Sequence, residues 1–288
     1  KANRVSRTGR SLTPAQKRHI ARLNAPRPDS TAEIFQFSGA TSSLLLNSRA
    51  AVVMNAETGE MLYSKNADRT MPIASITKLM TAMIVLDAHL PMDELITIQE
   101  SDVDTLRHSS SRLPVGTTLT RSEAMLLALM ASENRAASSL ARTYPGGTTA
   151  AVAAMNRKAR DLGMTHTFFV DGTGLHSENT SSPGDLVQLV KTARSYPDIH
   201  QYSTTTEHTL VSQQGRSIEF RNTNSLVRGG NWAIEVSKTG FIKEAGRCLV
   251  MQARINAKPM VIVLMDSNGS VSRAGDANRI KQWLESAL

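Results

Sequence analysis

The chain has 288 residues, 40% of them hydrophobic and 20% charged, an ordinary globular composition with length for one large core or two modest ones. Its formal charge of +8 is concentrated at one end: positions 1–47 hold eight Lys or Arg against Asp29 and Glu33, so the remainder is close to neutral. With 4% aromatic residues and no basic surface helix further along, nucleic-acid binding is excluded, and the single cysteine, Cys248, excludes an internal disulfide framework and a cysteine-rich zinc site.

Positions 1–45 read as a basic arm, partly flexible and rich in Ser, Thr, Pro and Arg, with Ala15–Leu23 as its short helix. The opening Lys1-Ala2-Asn3-Arg4 has no apolar signal region, so either the protein carries no export signal or the signal has been removed. A compact domain is expected over 46–288. Ala50–Asn55 and Met61–Ser64 predict two strands joined by the turn Glu57-Thr58-Gly59-Glu60. Apolar residues at three-to-four spacing then predict helices over Ile76–Leu86, Arg121–Met130, Arg135–Thr143, Thr148–Leu162 and Asp185–Arg194. A strand meander follows, over Thr206–Val211, Ser217–Arg221, Trp232–Ser237, Arg247–Ile255 and Met260–Met265, and Arg273–Leu288 closes the chain as a helix. The order predicts an α+β fold, an antiparallel sheet flanked by helices with an all-helical subdomain. Met80–Leu86 and Met260–Met265 are the longest mainly apolar stretches, far short of the roughly 20 residues that span a bilayer, so no transmembrane segment is expected.

Ser75 and Lys78 fall at the start of the first predicted helix, three residues apart and therefore on one face. A serine hydroxyl becomes a nucleophile once a base takes its proton, and a lysine serves if burial or a neighbouring cation lowers its pKa. Lys78 alone among the lysines has a serine three positions before it. Ser-x-Asn occurs at Ser64-Lys65-Asn66, Ser132-Glu133-Asn134 and Ser177-Glu178-Asn179, and the context favours Ser132, just after an apolar helix that ends near a cleft. Lys238-Thr239-Gly240 follows the strand Trp232–Ser237, where Lys238 and Thr239 can bind a carboxylate and Gly240 admits a substrate backbone. Each element also has a plain structural reading as a helix start, a capping turn or a strand running into a turn. Their combination on helix, loop and strand is what points to catalysis.

In these elements the chain resembles the penicillin-recognising serine enzymes, and within them the low-molecular-mass penicillin-binding proteins of the D-alanyl-D-alanine carboxypeptidase and endopeptidase family. Ala56-Glu57-Thr58-Gly59, Leu162-Gly163-Met164-Thr165-His166-Thr167, Asp171-Gly172-Thr173-Gly174-Leu175 and Ser182–Leu189 extend the likeness over about 46–288. The resemblance implies a β-lactamase/transpeptidase-like fold and an acyl-enzyme on Ser75, with Lys78 as base and Ser132 as proton relay. It further implies that Asn134 holds the substrate amide, that the Lys238 charge keeps Lys78 neutral, that Thr239 and Arg273 meet a carboxylate, and that the backbone N–H groups of Ser75 and Phe241 form the oxyanion hole. Ser109-Ser110-Ser111 would border the cleft.

The same resemblance implies peptidoglycan cross-links as substrate, β-lactams as covalent inhibitors and a periplasmic location, with the basic arm able to touch the wall or membrane surface. The chain's end soon after Arg273 suggests the endopeptidase rather than the carboxypeptidase branch. The other readings are a class A-type β-lactamase, for which Glu178 is the available carboxylate, and a catalytically idle wall-binding protein. His108 and His166 lack a Gly-x-Ser-x-Gly elbow to serve, and the seven histidines lack metal-ligand spacing, so neither a Ser-His-Asp triad, a metal nor a cofactor is expected.

Overall fold

The computed structural model describes residues 33–34, 44–211, 215–269 and 272–287. The chain divides into two units, Lys1–Ser30 and Thr31–Leu288, and every described residue belongs to the second. The expected helix Ala15–Leu23 lies outside the described residues.

In chain order the strands are β1 (Glu33–Ile34), β2 (Ser48–Asn55), β3 (Met61–Lys65), β4 (Met71–Pro72), β5 (Leu95–Thr97), β6 (Thr118–Thr120), β7 (Thr180–Ser181), β8 (Glu207–Val211), β9 (Ser217–Arg221), β10 (Ala233–Ile242), β11 (Gly246–Ile255) and β12 (Lys258–Ser267). The helices are α1 (Thr77–Asp87), α2 (Arg121–Met130), α3 (Asn134–Arg142), α4 (Gly147–Asp161), α5 (Pro183–Arg194), α6 (Pro197–Thr204), α7 (Ser225–Arg228) and α8 (Ser272–Ala287). An antiparallel sheet in the order β1-β3-β2-β12-β11-β10 forms the frame, which leaves β10 on an edge.

The central strands read as continuous apolar runs because both faces of the sheet are covered. Side chains alternate with period two: Val52, Val250, Val261 and Val263 face one core, with Leu79, Leu127 and Leu186 of the helices. Val53, Met251, Ile262 and Leu264 face the other, against Ile280 and Leu284 of α8. No helix among the described residues is long and apolar enough to cross a membrane.

Two expectations change, and one helix appears that the sequence reading did not expect. β8 and β9 form their own two-stranded sheet instead of joining the meander, because polar and charged residues occupy their outward positions and only Leu210 and Phe220 are buried. Lys238-Thr239-Gly240 lies inside β10 rather than after it, since pairing with β11 continues to Ile242. The helix α6 had no strong periodic signal; Pro197 at its first turn starts it, and the wholly buried Ile199 together with a Tyr202 hydroxyl 2.5 Å from Ser122 Oγ anchors it.

Candidate active site

Ser75 occupies a single 3-10 turn, Ala74–Ile76, that leads directly into α1. Ala74 is held at φ 48, a left-handed conformation that costs a non-glycine residue about 1–3 kcal/mol unless its surroundings enforce it. Two glycines make room for that turn. A Cβ on Gly174, itself at φ +86, would lie 1.9 Å from the Ala74 carbonyl oxygen. One on Gly240 would lie 2.9 Å from Ile73 O and 3.2 Å from Ser75 N, so only a bare backbone lets β10 pass this close to the serine.

Lys78 is 1% exposed, and its Nζ has three oxygen neighbours at 2.8 Å: Ser75 Oγ, Asn134 Oδ1 and the carbonyl of Thr173. Burial brings its pKa from 10.5 down to about 7, against the opposing pull of Asp171 and Glu133. Asp171 shapes the turn that supplies the Thr173 carbonyl. Its carboxylate accepts hydrogen bonds from the backbone N–H of Thr173 at 2.7 Å, Gly174 at 2.6 Å and His176 at 3.0 Å. Asn179 fastens the turn to α1 by donating to Thr77 Oγ1 at 3.0 Å.

On the opposite wall Ser132 sits between α2 and α3 at φ 59, and Lys238 Nζ donates to its hydroxyl at 2.9 Å. The adjoining Glu133 is buried and accepts from Ser111 Oγ and Arg112 N–H, which ties the 107–116 loop to the site. Asn134 Nδ2 donates to Ser109 Oγ at 2.9 Å, so the serine-rich loop does border this cluster. Lys238 is likewise 1% exposed. Its pKa lies well below the ordinary value, first through burial and then through the Lys78 and Arg273 charges. Of the two causes expected to lower the Lys78 pKa, burial and the Lys238 charge, burial is the one that does so.

Thr239 is buried, with its hydroxyl 2.6 Å from that of Thr223. Thr223 had no signal in the sequence, because its role depends on the loop before α7 folding back onto β10. Arg273 Nη1 donates to the carbonyls of Gly240 and Cys248, both at 3.2 Å, and so braces β10 and β11 from behind the Lys-Thr-Gly run. Phe241, next along β10, is exposed and stacks under the Arg247 guanidinium.

Most residues set aside in the sequence stay outside the cluster; Asn179 of the third Ser-x-Asn run is the exception, through its bonds to Thr77 and Asp171. Burial pushes the Cys248 thiol up to about 11. No hydrogen bond among the described residues joins His108 or His166 to Ser75, and Glu178 stands 3.9 Å from His176. Ser64-Lys65-Asn66 runs out of β3, where Lys65 and Asn66 bind the backbone carbonyls of Ser48 and Arg49.

Residues 38–269 match the model of the S11 peptidases, described as D-alanyl-D-alanine carboxypeptidase. A D-alanyl-D-alanine endopeptidase of Pseudomonas aeruginosa is 48% identical over 241 residues, covering 83% of this chain and 78% of that protein. The DD-transpeptidase of Streptomyces K15 superposes with a TM-score of 0.78 at 28% identity, over 84% of this chain and 98% of that one. Penicillin-binding protein D2 of Listeria monocytogenes, solved in its ampicillin-bound form, gives a TM-score of 0.71 at 29% identity over 86% and 99% of the two chains.

Proposed function

The chain belongs to the S11 peptidases and is a serine D-alanyl-D-alanine peptidase; from that premise we propose that it opens D-alanyl-diaminopimelate cross-links of peptidoglycan through an acyl-enzyme on Ser75. The observation that carries the chemistry is the enclosure of the Lys78 amine by three oxygens, one of them the Ser75 hydroxyl. The endopeptidase assignment is supported by the name of the 48% identical relative.

A neutral amine has two N–H groups and one lone pair. Asn134 Oδ1 and the Thr173 carbonyl take the two N–H groups, which turns the lone pair toward Ser75 Oγ. Lys78 then removes the serine proton as Oγ attacks the D-alanyl carbonyl carbon. The oxyanion is received by the backbone N–H groups of Ser75 and Phe241, where Gly240 brings β10 against the serine. The C–N bond breaks, and the departing amine collects a proton through Ser132, whose hydroxyl is in turn supported by Lys238. Thr239, with Thr223 behind it, meets the carboxylate next to the scissile amide, and Arg273 adds its charge from behind the strand. Water then releases the acyl group. A β-lactam acylates the same serine by opening its ring.

The catalytic domain in this reading is 46–288, its substrate lies in the periplasm, and the basic arm 1–45 associates with anionic wall or membrane surfaces. Mass spectrometry of purified cross-linked muropeptides tests the assignment. Loss of dimers without free D-alanine is expected. Release of D-alanine from pentapeptides with dimers intact would instead establish the carboxypeptidase activity in the family's description. Fluorescent penicillin should label the protein but not Ser75→Ala, and equal labelling of both removes Ser75 from the mechanism. Because no hydrogen bond or ion pair among the described residues joins Glu178 to Ser75, Lys78 or Ser132, steady-state nitrocefin turnover should be slow; rapid turnover would favour a β-lactamase.

A further inference from the structure

A cavity of about 630 Å³ opens beside Ser132, between the 107–116 loop and β9. Ala131 and Glu133, the two neighbours of Ser132 in the chain, form part of its wall, and Ser110, Ser111, Arg112, Glu219 and Arg221 complete most of the rest. Its two walls lead to the groups assigned above to the departing side: Ala131 and Glu133 flank Ser132, which would hand a proton to the departing amine, and β9 runs on to Thr223, whose hydroxyl is 2.6 Å from that of Thr239, which would meet the carboxylate next to the scissile amide. We propose that it is the subsite for the departing strand of the cross-link, with Arg221 binding a free carboxylate of that strand; this rests on the endopeptidase reading above.

Size and charge both argue for it. A carboxypeptidase expels one D-alanine, which needs no such space, whereas a volume of this order suits a peptide-sized ligand. Of the two carboxylates at the wall, that of Glu133 is buried and already accepts two hydrogen bonds, so it offers little to a ligand. Arg112 directs one guanidinium nitrogen to the Glu219 carbonyl at 2.6 Å, which ties it to β9. Arg221 is exposed on β9 and has no side-chain hydrogen bond or ion pair among the described residues. A guanidinium fork without a partner, at the mouth of a cavity beside the relay hydroxyl, matches the planar geometry of a carboxylate. Glu219 at the same rim makes the mouth mixed in charge, which fits a zwitterionic peptide strand better than a polyanion.

The test uses the whole protein with Arg221→Lys, Arg221→Ala and Arg221→Glu, and three substrates: a cross-linked muropeptide dimer, a monomeric pentapeptide and fluorescent penicillin. Arg221→Ala should lower kcat/KM on the dimer about tenfold, chiefly through KM, with Arg221→Glu lower still and Arg221→Lys partly restored. Penicillin labelling, which does not fill the subsite, should stay within about twofold of the parent, as should any pentapeptide turnover the parent shows. Dimer cleavage at the parental rate in Arg221→Glu overturns the assignment, as does an equal fall in dimer cleavage and penicillin labelling. A parent enzyme that releases D-alanine from the pentapeptide but leaves the dimer intact overturns the endopeptidase reading first, and the subsite with it, before any variant is compared.

Discussion

Lys78 Nζ stands 2.8 Å from Ser75 Oγ, and both side chains are carried by one continuous 3-10-to-α segment. Their separation is therefore set locally, while the protonation state of the amine is set by everything packed around it.

An amine that must lose its proton cannot be replaced by a guanidinium, which remains charged. Lys78→Arg and Lys78→Met are expected to slow penicillin acylation at least about a thousandfold while leaving the far-UV spectrum intact. Acylation of either variant at a rate near the parent's would remove Lys78 as the base.

With a pKa of about 7, Lys78 is mostly an ammonium below that pH and mostly neutral above it. The acylation rate should fall about tenfold per pH unit below 7 and reach a plateau above it. Stability carries the same signature. The folded-state pKa lies below the ordinary 10.5, so folding expels a proton, and the associated penalty grows as pH falls from 10.5 to about 7, then levels off. The melting temperature of Lys78→Met relative to the parent should therefore rise as pH is lowered through that window. A difference independent of pH between 7 and 10 would contradict the depressed pKa.

Gly174 is where backbone freedom and close packing coincide. Gly174→Ala adds a methyl at 1.9 Å from the Ala74 oxygen and forces alanine to φ +86, so about 2–4 kcal/mol of destabilisation and loss of penicillin labelling are expected together. Gly59→Ala is the control for backbone strain alone, since Gly59 is likewise left-handed, at φ +75, but nothing lies within 4 Å of its added methyl; about 1 kcal/mol of destabilisation with labelling retained is expected. Thermal unfolding and labelling of the two variants should separate clearly; matching behaviour would mean the Ala74 turn moves aside.

Thr223→Val keeps the shape but removes the hydroxyl 2.6 Å from Thr239 Oγ1. If the Thr239 hydroxyl meets the substrate carboxylate, KM should rise several-fold, roughly 1 kcal/mol of binding, with kcat changed little. A loss confined to kcat would place Thr223 with the proton-transfer groups.

Arg121–Met130 was readable to the residue, because Thr120 caps it and Glu123 returns the hydrogen bond, a local signature. The central strands were readable because burial on both faces leaves unbroken apolar runs such as Met260–Met265. The extent of β10 was not. Ser237-Lys238-Thr239-Gly240 looks like the polar end of a strand, and only its pairing with β11 on one side and the packing of Gly240 against Ser75 on the other keep it extended and buried.

Spacing along the chain is enough to show which residue types recur where: a serine one helical turn before a lysine, a serine and asparagine after an apolar helix, a lysine, threonine and glycine late in the chain. Those are local facts, carried by covalent distance and helix geometry. Only the closed fold places Lys78 Nζ against Ser75 Oγ within a buried cage of oxygens, lets Asp171 and Asn179 shape the turn supplying one of them, and sets Thr223 and Arg273 beside β10. Partners 56 to 95 residues away cannot be read from spacing, and desolvation, the main cause of the low lysine pKa, exists only once the whole domain has closed over the amine.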